Sequence, residues 1–594
     1  MDGTDKAQRV NEPSVIERGE HGSENSSEKH QIVEEESPHQ AVALHVPGEN
    51  DQVTWKTWCV IVVLSSTFGL SFWPIPTTAA MQNALAAKLG DPLAVYWFVP
   101  TYTICIAIGF LLAGANSDLF GRRLCLIMGE VGVVIGMAIL ASSKSTKQFQ
   151  AGLGLAGFFG GFCQMSMCAI PELMPNKFRH IGICIADAVV FVVVVLGPVV
   201  GRYAIETGNN WQYIFWAGFI GCFISLVFLV WLYHPPKHPK GVPWREAVRG
   251  ADWVGAVLSA TGLTLALMGI VYTSYLPSTD VHVLAPLVTG LVILTIFGLW
   301  EQFSKVKYKL CPPEIFKKHN GREFTAPFVV SFIVTMFYYG ANITWPTMIN
   351  VFYVTPETPR SEALLLTLPG NLGLVFGALM LTAFGNLAAK AITFKWALTV
   401  AWAGMLLWVG LMALVTPFNK GLMIAFAFLG QAFFGWAQYA SIAFSFFGVH
   451  QVDLGVAGGL SGMARFAGGS LAQAIYMTIL TNTQATRAAA TVPQAAIAAG
   501  LPESSGPELL AAFPLGAEAI MAVPGITEEA IAAASLAFQW SYAHALKLVS
   551  LSALSFGGVG LICCCLCLHI DHKMTPKIEI FLENDKYAEK NVHH

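Results

Sequence analysis

Two ionisable residues stand inside long apolar stretches of this 594-residue chain, and both are types that can do chemistry there. Asp187 lies in the stretch 181–201 and Arg465 in the stretch 454–480. Desolvation disfavours an ionised carboxylate, so an aspartate at that depth is suited to take up and release a proton. An arginine keeps its charge and must face a cavity or a partner, where it could bind an anionic group or balance Asp187. The structural alternatives are a local pairing of Asp187 with Arg179 or His180, and an interhelical hydrogen-bonding strut at Arg465.

A second cluster lies between apolar stretches. Residues 114–123 read Gly-Ala-Asn-Ser-Asp-Leu-Phe-Gly-Arg-Arg. A tight turn with an Asp and two Arg has no place in hydrocarbon and belongs at a membrane surface, the arginines favouring the cytoplasmic one. Gly114 and Gly121 allow the chain to turn. Asp118 can pair with an arginine such as Arg122 or Arg123, or with the positive N-terminus of a neighbouring helix. A contact of that kind formed in one conformation only would bias a conformational switch. Glu172, in Pro-Glu-Leu-Met-Pro-Asn-Lys, is placed to join Arg122 and Arg179 as a gate; the alternative is a plain helix-end charge. Gly197, Pro198 and Gly201 are expected to bend the stretch that follows Asp187. Gln164, Asn342, Gln438 and Tyr439 are polar groups within apolar runs and are candidates to line a site for a small, partly polar organic molecule.

The elements that must position these residues are membrane helices. The composition is 55% hydrophobic and 12% charged, about half the charge of a soluble protein. Apolar runs of spanning length, about 20 residues, number fourteen: 55–78, 96–115, 124–142, 149–170, 181–201, 211–233, 254–275, 283–303, 324–349, 363–387, 394–415, 422–447, 454–480 and 544–569. With the N-terminus in the cytosol, the inner loops hold sixteen Lys and Arg and the outer loops seven, as the positive-inside rule requires. Both termini then lie in the cytosol, and no cleavable leader is expected. The chain divides into a disordered tail (1–52), a six-helix bundle (53–233), a basic linker with a surface helix (234–252), an inserted helix pair (253–303), a second six-helix bundle (304–569) with an Ala-rich outer loop (481–543), and a tail (570–594). The expected fold class is an all-α membrane protein of 6 + 2 + 6 spans. The twelve cysteines lie mostly singly in apolar runs, which argues against a disulfide framework. The cluster Cys563, Cys564, Cys565 and Cys567 reads as packing or as a lipidation site rather than a metal site. No phosphate-binding loop, dinucleotide fingerprint or hydrolase elbow occurs. No enzyme activity, cofactor, metal or nucleic-acid partner is expected, and an ion or substrate gradient must supply any driving energy.

The pattern Gly-x-x-x-Asp-x-x-Gly-Arg-Arg resembles the loop between spans 2 and 3 of the major facilitator superfamily. Together with fourteen spans, the runs 70–74, 171–177, 180–182, 197–203 and 243–246 make the chain similar to the drug:proton antiporter-2 type. It is most similar to the fungal trichothecene efflux pumps and the related siderophore–iron transporters. The Leu-Gly-Pro-Val-Val-Gly run at 196–201 resembles part of the fifth-span antiporter motif, with Arg202 where the closing glycine would stand. The resemblance implies two bundles working by alternating access in the plasma membrane, a small-molecule substrate and protons as the coupling ion. It implies export of a toxin or secondary metabolite. Siderophore uptake is the alternative within that class, and a non-transporting membrane sensor the alternative outside it. The arginine that many proton antiporters carry in the fourth span is absent from 149–170, so the charge logic would fall to Asp187 and Arg465.

Overall fold

The computed structural model describes residues 53–206, 210–236, 242–355, 357–513, 517–585 and 587–588. The expected disordered tail at 1–52 lies outside the described residues. Thirteen described helices are long and apolar enough to span a membrane. They are α1 Trp55–Lys88, α2 Pro92–Phe120, α3 Arg122–Ala141, α4 Thr146–Glu172, α5 Asn176–Ile205, α6 Trp211–Leu232, α7 Trp253–Tyr272, α8 Val281–Phe303, α9 Thr325–Tyr353, α10 Arg360–Ile392, α11 Phe394–Leu414, α12 Lys420–Phe447 and, last in the chain, α14 Glu528–Leu566. The fourteenth is α13, Leu454–Ala498. Its membrane part is so rich in glycine, and carries Arg465, that its hydropathy is low. It earns its place by packing on α2, α9 and α14 instead.

The first six helices pack mainly on one another, as do α9–α14. The two halves meet where α2 lies against α13 and α5 lies against α10 and α12. The α2–α13 seam depends on small residues. Gly114 of α2 faces Gly459 of α13 so closely that a Cβ on either would strike the other's backbone, and Gly462 receives the ring of Phe110. Such stripes let helix backbones approach where lipid offers no hydrophobic drive. The pair α7 and α8 stands outside this arrangement. Helix α7 rests on α2 and α13, and α8 rests on α7 with Leu284, Val288, Leu291 and Leu299 exposed, the outward apolar surface of a helix in lipid.

Four of the described helices are interrupted: α10 at Leu366 and Thr367, and three others at breaks that fall beside a candidate residue. Helix α1 breaks between Ser71 and Pro74, α4 at Gln164 and Met165, and α5 at Asp187, where Arg179–Ala186 hands over to Ala188–Glu206. The stretch with Gly197 and Pro198 is continuous helix from Ala188 to Glu206, with Pro198 in its interior. The glycines serve the neighbouring helix, because a Cβ at Gly197 would meet Pro76 and one at Gly201 would meet the carbonyl of Thr77. The expected outer loop at 481–543 also proves mostly helical. Alanine favours helix, so α13 extends 18 residues past the expected Leu480 and α14 starts at Glu528 rather than His544. With Gly506–Ala512 and Ala517–Met521 these extensions build a small helical cap. Its own core includes Val492, Leu501, Leu509 and Ala530, with Phe513 stacked on Phe538 at 4.7 Å.

Candidate functional site: a charged seam and a buried polar chamber

The charged turn closes one end of the seam between the halves. Helix α2 ends at Gly121, whose φ of 90° lies in the left-handed region that glycine adopts without strain. This turn places Asp118, fully buried, at the first turn of α13. Its carboxylate accepts from the backbone N–H of Gly455 at 3.2 Å and of Val456 at 3.0 Å. Arg122 sits 3.3 Å from the same carboxylate. Both possibilities raised for Asp118 are therefore realised together: the arginine and the positive end of a helix dipole. Arg122 also grips Glu172 with two donors, Nε at 2.7 Å and Nη2 at 2.5 Å, a bidentate geometry that binds strongly. Glu172 accepts a further bond from Gln451 Nε2 at 3.0 Å, and Arg179 donates to Gln451 Oε1 at 3.1 Å. Gln451 belongs to the second half and the other two to the first, so with the two bonds from Gly455 and Val456 to Asp118 the network crosses the seam four times. Arg123 is not part of it. Its guanidinium donates to the carbonyl of Val230 at 2.8 Å, within the first half.

Deeper along the seam lies a small polar chamber of about 50 Å³. Asp187, Arg465, Gln164, Gln438 and Tyr439 all line it, so five of the six residues expected to serve coupling or substrate binding converge on one place. Tyr439 Oη donates to Asp187 Oδ2 at 2.5 Å. The local pairing of Asp187 with Arg179 or His180 is not observed. Asp187 is 3% exposed and Arg465 8% exposed. No ion pair joins them among the described residues, and Asp187 Oδ1 and Arg465 Nε each lack a hydrogen-bond partner. Arg465 reaches Met167 Sδ at 3.6 Å instead. Gln164 Nε2 lies 3.5 Å from Ser71 Oγ, at the interruption of α1. A buried acid and a buried base, each with an unused polar atom, leave this chamber able to accept a proton or a polar ligand group without dismantling an existing network.

Val194, Tyr338 and Tyr339 line both this chamber and a cavity of about 610 Å³, large enough for a small organic molecule. Asn342, the sixth candidate, lies on this larger cavity, with its Nδ2 bonded to the carbonyl of Tyr338. The walls are aromatic and amide-bearing, with Asn350, Asn371, Gln431 and Gln473 among them. Arg202 is the single charged residue of the lining among the described residues. Tyr339 Oη, Tyr476 Oη and Gln473 Oε1 are buried without hydrogen-bond partners. The lining continues to Ala79, Ala80 and Asn83, which are exposed, at the end of α1 away from the Asp118 network. The molecule is therefore shut at its charged end and open at the other.

Comparison with known proteins agrees with this architecture. The fungal trichothecene efflux pump family (TRI12) matches residues 62–594. The chain belongs to that family. The MFS-type transporter prx5 of Penicillium rubens is 43% identical over 525 residues, covering 88% of this chain and 93% of its relative. The trichothecene efflux pump TRI12 of Fusarium sporotrichioides is 26% identical over 524 residues, covering 87% and 86%. The solved structure of the MFS proton:xylose symporter XylE, bound to 6-bromo-6-deoxy-D-glucose, is 14% identical. It superposes with a TM-score of 0.50 over 85% of this chain and 96% of that one, which establishes a shared fold. This efflux-family chain is a multi-pass transporter of the major facilitator superfamily. None of these relatives is named for siderophore uptake.

Several residues of this family member went unnoticed in the sequence reading. Glu130 is the one carboxylate of the stretch 124–142 and meets the criterion applied to Asp187. It is fully buried; its Oε2 is 3.5 Å from the Cys163 thiol and its Oε1 has no partner. Tyr476 and Gln473 lie in the part of α13 where alanines and threonines hide any periodic signal. Their place on the cavity wall is set by how α13 is rotated in the bundle, which spacing alone does not report.

Proposed function

We propose that this transporter exports an uncharged, oxygen-bearing organic metabolite across the plasma membrane, driven by protons that enter through Asp187. The observation that carries the reading is the pairing of two adjoining spaces. One is a roomy cavity walled by phenols and amides with little charge. The other is a chamber holding a carboxylate bound by Tyr439 and an arginine left without an ion pair. A lining of this kind suits a neutral ligand that offers both donors and acceptors, because a bound ion would meet few opposite charges and would lose its hydration. The free Asp187 Oδ1 offers a proton site that the substrate cavity can sense through Tyr338 and Tyr339. The orientation that places the Asp118 network at the cytosolic face, with both termini in the cytosol, follows from the distribution of Lys and Arg. In that orientation the conformation is outward-open, ready to release substrate and accept a proton.

The test is accumulation of labelled neutral metabolites in cells expressing the protein at the plasma membrane, with and without a proton uncoupler. Accumulation should fall on expression, recover with uncoupler, and recover in Asp187→Asn. Export that persists unchanged in the uncoupled cells, or in Asp187→Asn, would remove the proton from the mechanism. A higher accumulation on expression would reverse the direction.

A further inference from the structure

The chain does not leave the molecule where its last membrane helix ends. After Leu566, residues 567–585 cross the closed charged end as an extended strap. The first part holds the second half. Asp571 Oδ1 accepts from the backbone N–H of Phe394 at 2.9 Å. Lys573 donates to Glu323 at 2.5 Å and to the carbonyl of Phe447 at 2.9 Å. The remainder holds the first half. The carbonyls of Thr575 and Lys577 accept from the backbone N–H groups of Lys177 and Asn176 at 2.7 and 2.9 Å, and Ile580 N–H donates to the carbonyl of Glu172 at 3.2 Å. Glu583 N–H bonds the carbonyl of His234 at 3.0 Å, and the Asp585 carboxylate accepts from Thr57 at 2.9 Å and from Thr54. Ile578 and Leu582 are buried, so the strap is seated as well as bonded.

Those contacts span the seam at the end where the halves must separate for the substrate cavity to open there. We propose that residues 575–585 act as a clasp that holds the charged end shut, and that release of the clasp from the first half governs how often that end opens. One attachment is Glu172, whose side chain is already gripped by Arg122, so clasp and ion network reinforce the same residue. A strap that binds one conformation and not the other shifts the equilibrium by its differential binding energy. The anchor on the second half is firm at neutral pH. Burial would push the Glu323 carboxyl up, but the Lys573 ammonium, with His319, outweighs it and holds it below the ordinary glutamate range. A depressed carboxyl contributes fully above its unfolded value and loses its contribution as pH falls through the folded one. The Glu323–Lys573 contact therefore persists through the physiological range. The strap is continuous with α14 of the second half, so its contacts with the first half are the ones that must release when the halves part.

The experiment uses the full-length protein in membranes and reads native thiols. Cys168 is buried at the closed end, with Sγ 3.8 Å from the carbonyl of Leu454. Cys222 is buried inside the first half and serves as the reference. Labelling by a membrane-permeant maleimide is followed peptide by peptide, in the native chain, in Leu582→Asp and in a chain ending at Met574. Both variants should raise Cys168 labelling at least tenfold with Cys222 unchanged. Unchanged Cys168 labelling in both would overturn the clasp and make the strap a passive rider on one half. A parallel rise at Cys222 would equally overturn it, as general loosening. Labelling needs neither substrate nor gradient, so its outcome is independent of the proton-export reading.

Discussion

Replacing Asp118 by asparagine tests whether the charged seam acts as a gate. The Asp118 carboxylate accepts two backbone N–H groups of the opposite half, at 3.2 and 3.0 Å, while fully buried. Hydrogen bonds to a charged group contribute about 1.5–3 kcal/mol each, and neutral ones about 0.5–1.5 kcal/mol. Each N–H is taken by a different oxygen, and asparagine turns one of the two into a donating NH2, so in this geometry one neutral bond survives. The difference is about 2–5 kcal/mol, with the interaction between carboxylate and helix N-terminus lost besides. Arg122 keeps its bidentate hold on Glu172, which limits damage within the first half. The loss therefore falls on the contact between halves, and exists only while the charged end is closed.

At about 1.4 kcal/mol per tenfold, the smaller figure already shifts the closing equilibrium by roughly 30-fold. The assay is maleimide labelling of Cys168, whose accessibility tracks the open fraction of that end. Asp118→Asn should label at least 30-fold faster than the native chain, and Lys307→Ala, which removes an exposed contact with Glu246 within the linker region, should leave the rate unchanged. An Asp118→Asn rate within threefold of native, in protein that is folded and correctly inserted, would refute the reasoning. The contact would then be decoration on a seam held by its glycines.

Three further outcomes follow from other contacts. Tyr439→Phe removes the donor to Asp187 Oδ2 and leaves a buried carboxylate oxygen unsatisfied, at a cost of about 1–3 kcal/mol; export measured at equal surface abundance should fall by about tenfold. Gly459→Val drives a branched side chain into the backbone at Gly114. It should hold α2 and α13 apart, raise Cys168 labelling and abolish export, whereas export within twofold of native would show that the seam does not close tightly. Glu130→Gln keeps the size of a side chain whose neighbours are neutral, and should leave the melting temperature in detergent within a few degrees. Glu130→Ala opens a cavity and should destabilise the protein by about 2–4 kcal/mol; equal stability of the two variants would contradict the packing seen around Glu130.

What could be read in the sequence, and what could not, divides along physical lines. A charge in an apolar run is costly wherever the helix points, so Asp187 and Arg465 stand out without a structure, and so does Asp118 in its glycine-bounded turn. What spacing does not carry is rotation and contact across the seam. Nothing local distinguishes Arg122, which joins Glu172 in the network at the seam, from Arg123, which turns away to Val230. The glycines at 197 and 201 are also a landing for α1, a role set by a helix more than a hundred residues earlier and invisible in local spacing. The low hydropathy of α13 has the same origin. Its glycines and its arginine would be poor choices for a helix facing lipid, and they are required of one that closes against α2 at one end and faces a polar chamber further along. A transporter's moving seam has to be smooth where the halves slide and charged where they lock. In this chain both demands fall on the stretch from Gly455 to Gly469, which is why its least apolar spanning helix is the one that lies along the seam.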